Sequence, residues 1–398
     1  MNFPYSKKAM LSLALATAVI ASSNAAWAAS ATQPQPAKTA TVADAAKPVN
    51  SSVTKPSSTA SNSVAQELTM SQAVEQALKT NSSIRSLRID INSADLNSRL
   101  VYAKVKDISS DYIDNLDLAT TKYVNSAKAD SAKKVNQLFL KTTESGVKLG
   151  AEKAYYDLLN AQNDLELKQQ SLKRAETQLK VAQSAFKVGT RAKTEVLQAE
   201  AGLARAQAQL AVSQSTVEVN RMLLNQFIGV DINSKWTLKT DDRQTQSSQP
   251  SLDQAVDTAL KQRPEIVQRE EEIKIADLNV EMIKKYLSIA TYQGEMAVNS
   301  VEKAKISLED EKKGIEVEVA QAYYSQQAAK TSIEAYRKAK EAATENYRLT
   351  NLRYENGLAT ALEVITAEED LSTQENQYQQ ALHNYNLAAI KFDNALGN

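Results

Sequence analysis

The chain has no cysteine, one histidine, nine glycines and seven prolines in 398 residues. Without cysteine there can be no disulfide, no thiol nucleophile and no thiolate metal site. There is also no acceptor for a lipoprotein lipid. The single histidine, His383, makes neither a hydrolytic triad nor a metal centre by itself; a partly buried polar residue on a helix seam is the better reading. No Gly-x-Gly and no Gly-Lys-Ser/Thr occurs, so the loops that cradle phosphate are missing. Neither charge is in excess: Lys plus Arg and Asp plus Glu both number 47, where a nucleic-acid binder usually carries a basic surplus or stripe. The run Glu368-Glu369-Asp370 has the donors for a cation, but charge runs of this kind usually mark a solvated face. These absences predict a protein that is not an enzyme, needs no cofactor and no metal, and takes no nucleic acid as partner.

Large side chains are also scarce. Aromatics make up 6% and apolar residues 42% of the chain, little for one thick core and enough for long helices with narrow apolar stripes. The N-terminus reads as an export signal over 1–28. Lys7 and Lys8 precede the largely apolar run Met10 to Ala21, and Ala26-Trp27-Ala28 is a small-x-small cleavage site. The run is shorter than the ~20 residues a membrane-spanning helix needs. Residues 29–66, rich in Ala, Ser, Thr and Pro, cannot bury enough surface to offset chain entropy and read as a disordered linker.

From residue 68 only Pro250 and Pro264 remain, and the sequence repeats itself. Ser71-Gln-Ala-Val-Glu-Gln-Ala-Leu-Lys79 matches Asp253-Gln-Ala-Val-Asp-Thr-Ala-Leu-Lys261, an offset of 182. Thr69 with Gln72, and Ser251 with Gln254, predict a capping box at each start. Further on, Ala154-Tyr155-Tyr156 matches Ala322-Tyr323-Tyr324 at an offset of 168, held without a gap to Gly229 and Gly397. Since 168 is 24 heptads, both copies keep one helical phase. Helical repeat 1 therefore spans 67–229, an inter-repeat linker 230–250, and helical repeat 2 251–398. Trp236-Thr-Leu238 is a candidate short strand in the linker.

Apolar residues alternate by four and three, the spacing of a coiled-coil seam. One stripe runs Ala154, Leu158, Ala161, Leu165, then past Lys168 through Leu172, Ala175, Leu179 and Ala182 to Phe186. It resumes with Val196, Ala199, Leu203, Ala206 and Leu210, and reaches Leu224 and Phe227. In copy two the same phase runs Val364, Ala367, Leu371, Gln374, Tyr378, Ala381, Tyr385, Ala388, Phe392, Ala395. The returning arm of copy one carries a second stripe, Leu197, Ala201, Ala204, Ala208, Ala211, Ser215, Glu218, Met222. Two adjacent seams favour neighbours on two sides, as in a wall or tube of helices; the bland alternative is a solvated face rich in a good helix former.

Each hairpin turns at a matching place. Copy one has Phe186-Lys-Val-Gly189-Thr-Arg-Ala-Lys-Thr-Glu195-Val-Leu-Gln-Ala199. Copy two has Tyr354-Glu-Asn-Gly357-Leu-Ala-Thr-Ala-Leu-Glu363-Val-Ile-Thr-Ala367. Gly189 and Gly357 suit the left-handed position that ends a helix. Thr360 and Glu363 predict a capping box; Ala192 has no hydroxyl to match Thr360, so Thr190 is the expected cap in copy one. The fold class is all-α: two tandem repeats of long antiparallel coiled-coil hairpins.

The doubled aromatic-x-x-Gly turn with its following Glu-Val-(Leu/Ile)-x-Ala, the two Gln-Ala-Val-x-x-Ala-Leu-Lys starts and the two Ala-Tyr-Tyr helices resemble the TolC-type outer-membrane efflux family over about residues 68 to 398. The resemblance implies a homotrimeric helical tunnel in the cell envelope, docked to a membrane-fusion adaptor and an inner-membrane transporter. It places Val188, Gly189, Thr190, Asn356, Gly357 and Leu358 on the adaptor-docking tip. It places Arg191, Glu195, Tyr354 and Glu363 at a tip gate. Plain helix capping for Glu195 and Glu363, and seam packing for Tyr354 and Phe186, stand beside those roles. Ala359 falls where family members can carry a gate-linking Arg.

Barrel strands of ~9 to 11 residues have no place to go. Asp107 to Ala127 is rich in Asp, Ser and Asn without an alternating apolar face, and Leu287 to Asn299 around Gly294 has room only for a small hairpin. The expectation is a reduced or absent β-barrel, with plain turns near 105–125 and 287–299. Two functions follow: a passive efflux or secretion conduit, or a non-conducting structural stalk in the envelope.

Overall fold

The computed structural model describes residues 66–239 and 250–397. The expected export signal at 1–28, the expected linker up to residue 65, residues 240–249 and residue 398 lie outside the described residues. Gln66, the last residue assigned to the disordered linker, is in a strand.

Repeat 1 opens with β1 (Gln66–Leu68) and then α1 (Met70–Thr80), which starts on the Thr69–Gln72 capping box. Asn81 ends α1 and starts α2 (Ser82–Val105): its backbone N–H donates to Ala77, and its side chain accepts from Ser83 and Ile84. A polar segment follows, with a 3-10 turn at Ser110–Tyr112, α3 (Leu116–Ala119) and a π-helical run at Thr120–Val124, and leads into α4 (Asn125–Lys187). α5 (Lys193–Ile228) returns antiparallel. β2 (Trp236–Leu238) then pairs in parallel with β1.

Repeat 2 copies this plan. α6 (Leu252–Gln262) starts on the Ser251–Gln254 capping box, and Pro264 opens α7 (Pro264–Tyr286), where a missing N–H costs nothing. α8 (Tyr292–Glu355) and α9 (Ala361–Ala395) form the second long hairpin.

Three sequence expectations are corrected here. The connection near 105–125 is no plain turn. Its Asp, Ser and Asn residues cap short helical pieces: Ser109 accepts from the Asp111 N–H and Asn115 from the Leu118 N–H. The second connection is shorter than 287–299, since α8 begins at Tyr292. Gly294 belongs to its first turn and not to a hairpin: the Thr291 side chain caps α8 by accepting the Gly294 N–H at 3.1 Å, and a Cβ at Gly294 would sit 2.3 Å from the Ile289 carbonyl oxygen. Among the described residues β1 and β2 are the only strands, so there is no barrel. No described helix is long and apolar enough to cross a membrane.

The expected stripes form the seams. Leu158, Ala161 and Ala182 of α4 are buried, as are Val196, Ala199, Ala206, Ser213 and Leu224 of α5. On α9 every residue of the expected stripe except Gln374 and Tyr378 is buried. Lys168, the break in the α4 stripe, turns its ammonium to Asp164 one helical turn away, at 3.8 Å, and its stem covers the gap. α4 packs on α5, α9 packs on both α4 and α8, and the order across the two hairpins is α5, α4, α9, α8. At the other end α2 and α7 lie on α4, and α7 also on α8. The second α5 stripe is exposed from Leu197 to Glu218.

The two repeats differ at their roots. Tyr155 and Tyr156 are buried with Leu68, Met70, Ile84, Leu224 and Ile228, and the Tyr155 hydroxyl donates to the carbonyl oxygens of Leu68 and Lys239 at 3.1 and 2.7 Å. This bond ties α4 to the two-stranded sheet. At the matching place in repeat 2, Tyr323 packs against Phe392 with the rings tilted by 60°, and no described strand pair anchors it.

Candidate functional site

The hairpin turns are built from backbone chemistry that the sequence dictates. At Gly189, φ is 77°, and at Gly357 it is 78°, which a residue with Cβ resists. The N–H of Gly189 donates to Phe186 and that of Thr190 to Ala185. Gly357 and Leu358 donate in the same way to Tyr354 and Arg353. Both turns are therefore Schellman motifs that satisfy the last carbonyls of their helices. Asn356 adds a side-chain bond to Leu352 at 2.8 Å.

Thr190 does not cap α5, contrary to expectation. Its hydroxyl donates back to Ala185 at 3.0 Å, because the Schellman geometry already commits Thr190 to the outgoing helix. Ala192 is the N-cap and supplies no side-chain bond. In repeat 2 the Thr360–Glu363 box forms as read.

The turns lie at one end and touch. Arg191 of the first turn reaches across to the second. Its guanidinium donates to the Tyr354 carbonyl oxygen at 3.0 Å and lies 4.6 Å from the centre of the Tyr354 ring. It also pairs with Glu195 at 3.6 Å, and the Tyr354 hydroxyl donates to Glu195 at 3.3 Å. Tyr354 is 3% exposed and packs with Ala359, Ala361 and Val364. Burial first, and then the charge of Glu195, push its hydroxyl above the ordinary tyrosine pKa, against the opposing pull of Arg191. Thus Tyr354 fills a seam and carries the link between hairpins, while Phe186, its counterpart, is exposed.

Glu363 joins none of this. It accepts the Thr360 N–H at 2.6 Å, and that backbone bond, with the Thr360 hydroxyl, lowers its pKa. The structure therefore brings Arg191, Glu195 and Tyr354 together and leaves Glu363 a helix cap. Beyond them, Val188 and Leu358 stand 75% and 71% exposed at the extreme of each turn.

Sequence reading missed a second contact between the hairpins. Arg174 of α4 pairs with Glu368 at 3.2 Å and with Glu375 at 3.0 Å, both on α9. Ser171 donates to Glu368 at 2.7 Å, and Glu369 pairs with Arg205 of α5. The run Glu368-Glu369-Asp370 is thus in good part an inter-helix network and not a solvated face. The signal was there: two carboxylates one heptad apart on α9, with an Arg in the matching phase of α4. His383 is a partly buried seam residue as read, paired with Asp157 at 3.2 Å. Among the described residues no group of three or more His, Cys, Asp or Glu could hold a metal ion.

The sequence profile of the outer membrane efflux protein family matches residues 116–230 and 287–398, the two long hairpins. The chain belongs to that family. No curated protein matches it by sequence. Among solved structures, it is similar to the outer membrane protein VceC of Vibrio cholerae, with a TM-score of 0.69 and 15% identity over 83% of this chain and 96% of that one. The CmeC outer membrane channel of Campylobacter jejuni gives 0.68 and 13% over 82% and 85%. The open-state MtrE outer membrane channel of Neisseria gonorrhoeae gives 0.67 and 16% over 83% and 89%. At these identities the likeness shows the fold, a TolC-like helical trunk.

Proposed function

We propose that the chain is exported by the segment 1–28 and serves in the cell envelope as a passive, homotrimeric efflux or secretion conduit, docking at its tip to a membrane-fusion adaptor that links it to an inner-membrane transporter. The observation that carries this reading is the pair of rigid turns. They are held side by side by Arg191, and each presents an apolar side chain, Val188 or Leu358, that stands exposed among the described residues. An exposed apolar residue on a fixed, hydrogen-bonded turn is a docking element, since little chain entropy is lost on binding. Tunnel and docking in the family support the reading. CmeC and MtrE, which share this fold, are outer membrane channels and give it a direction.

The test is the double variant Gly189→Val with Gly357→Val. A Cβ meets no neighbour at either position, so the harm comes from the backbone angle alone. Loss of adaptor capture and export, with helical content kept, is expected; undiminished capture sinks the proposal. The missing barrel strands favour a second reading, a non-conducting envelope stalk. Photocrosslinking from Val188 in cells separates the two, because a stalk captures only wall or itself.

A further inference from the structure

The α4–α9 seam carries polar layers that its packing does not call for. Asp157, Asn160 and Asp164 of α4 lie at i, i+3 and i+7, and so do Asn376, Gln379 and His383 of α9. The two helices run antiparallel. His383 meets Asp157 at 3.2 Å, and the other layers follow in heptad phase. The offset of 168 residues carries these positions to Ser325, Ala328 and Ser332 on α8 and to Ala208, Ala211 and Ser215 on α5. The other copy fills the same places with small residues, so nothing in the coil geometry requires amides and acids here.

These layers line a cavity of about 250 Å³, with Thr216 and Asn220 of α5 on its third side. Much of its hydrogen-bonding capacity is unused. The Asn160 and Gln379 side chains form no hydrogen bond among the described residues. Asn376 Oδ1 and His383 Nδ1 are buried without a partner, and the His383 side chain is only 10% exposed. Buried polar groups left unmet cost stability, and a half-satisfied layer is worse than an apolar one. A set of this kind points to a ligand that meets it.

The lining selects the chemistry of that ligand. Two carboxylates and no Lys or Arg face the cavity, so an anion is repelled. The carboxylates are themselves engaged: Asp157 with His383 and, at 2.5 Å, with Lys153, and Asp164 with Ser213 at 2.7 Å. A cation therefore finds no free charge, and no described group of acids and histidine could hold a metal ion. Ala161 is the one apolar residue in the described wall, so an apolar molecule has little to bury against. A molecule rich in hydroxyls fits. A hydroxyl both donates and accepts, and an amide sets a donor beside an acceptor, so Asn160 and Gln379 can each span two neighbouring hydroxyls. With Nε2 given to Asp157, Nδ1 of a neutral imidazole is left to accept. We propose that this cavity binds a neutral polyhydroxyl ligand the size of a single sugar ring. It is smaller than the pockets that take drug-sized ligands. The site lies within one chain, apart from the tip turns, and does not depend on the assembly reading above.

His383 is the only histidine of the chain, so untagged, histidine-labelled protein gives a single imidazole signal. Methyl β-glucoside added at fixed pH should move that signal saturably in the millimolar range. Asn160→Ala with Gln379→Ala gives this layer the residues of the other copy, which keeps the helices. It should raise the half-effect concentration about tenfold, through the loss of two hydrogen bonds. Tetramethylammonium chloride and inorganic phosphate should leave the signal in place. A stronger response to either ion overturns the neutral class. A response to the glucoside that never saturates, or that is the same in the double variant, overturns the site. No response to any probe also overturns it and leaves the cavity to water alone.

Discussion

Arg191 makes one hydrogen bond and one ring contact to Tyr354, 163 residues away in sequence, and one ion pair to Glu195 in its own hairpin. Its side chain is only 16% exposed, and that of Glu195 18%, so solvent screening is reduced but not removed. Arg191→Ala should loosen the second turn by about 1–2 kcal/mol, the sum of a modest cation–π contact and one net hydrogen bond. Native-state amide exchange reads this as a rise of about tenfold for Gly357 and Leu358, while exchange in α1 stays unchanged. Equal exchange at the turn would show that Tyr354 is held by its packing alone. Tyr354→Phe should lose less, since the ring stays and only the bond to Glu195 goes.

Helix ends were the most legible elements, because a cap is local chemistry. Thr69, Ser251 and Thr360 cap as their own sequence neighbours require, and Gly189, Gly357 and Gly229 adopt the left-handed angle that their helices need to stop. The seams were legible for a similar reason: a four-three alternation can bury only one face. What failed to show was long-range. Gln66–Leu68 has no strand pattern of its own and becomes β1 only because Trp236–Leu238 lies beside it. The Arg174 clamp joins residues about 200 apart, and a charge on a helix does not name its partner. Two element-scale predictions follow from these contrasts. Thr360→Ala should cost α9 about 1 kcal/mol at its first turn. Because the Glu363 carboxyl is held below its usual pKa by the Thr360 bonds, its contribution is complete above the ordinary glutamate range and fades as pH falls through the lowered folded value. A carbon-detected titration of Glu363 should give a less depressed pKa in the Thr360→Ala protein than in the parent, since the hydroxyl bond is lost while the backbone N–H bond stays. Arg174→Ala should cost about 3 kcal/mol, because Glu368 and the buried Glu375 lose their shared cation; urea unfolding followed at the α4–α9 seam measures it. Replacing all three by apolar residues should recover most of that loss, which a purely packing role for Arg174 does not predict.

At the scale of the whole molecule, the seam between the two hairpins is held by charge as well as by packing, and this decides how the hairpins move. The α4–α9 seam holds Arg174, Glu368, Glu375, Ser171, Asp157 and His383 in ionic or charge-assisted bonds, and the Arg191 link adds to them at the tip. Burial alone would raise the Asp157 carboxyl, but the bonds from His383 and Lys153 outweigh it and hold its pKa low. Its share of the inner seam therefore persists above the ordinary aspartate range and is lost only as pH falls through that lowered value. The two hairpins of one chain should then move as one body. Spin labels at Val188 and Leu358 of one chain report the distance between the two turns, and bridging Ser171→Cys to Glu368→Cys should leave the distribution of label distances as it was. A narrowed distribution would mean that the inner seam is a hinge, and that its ion pairs break and re-form as the tip moves.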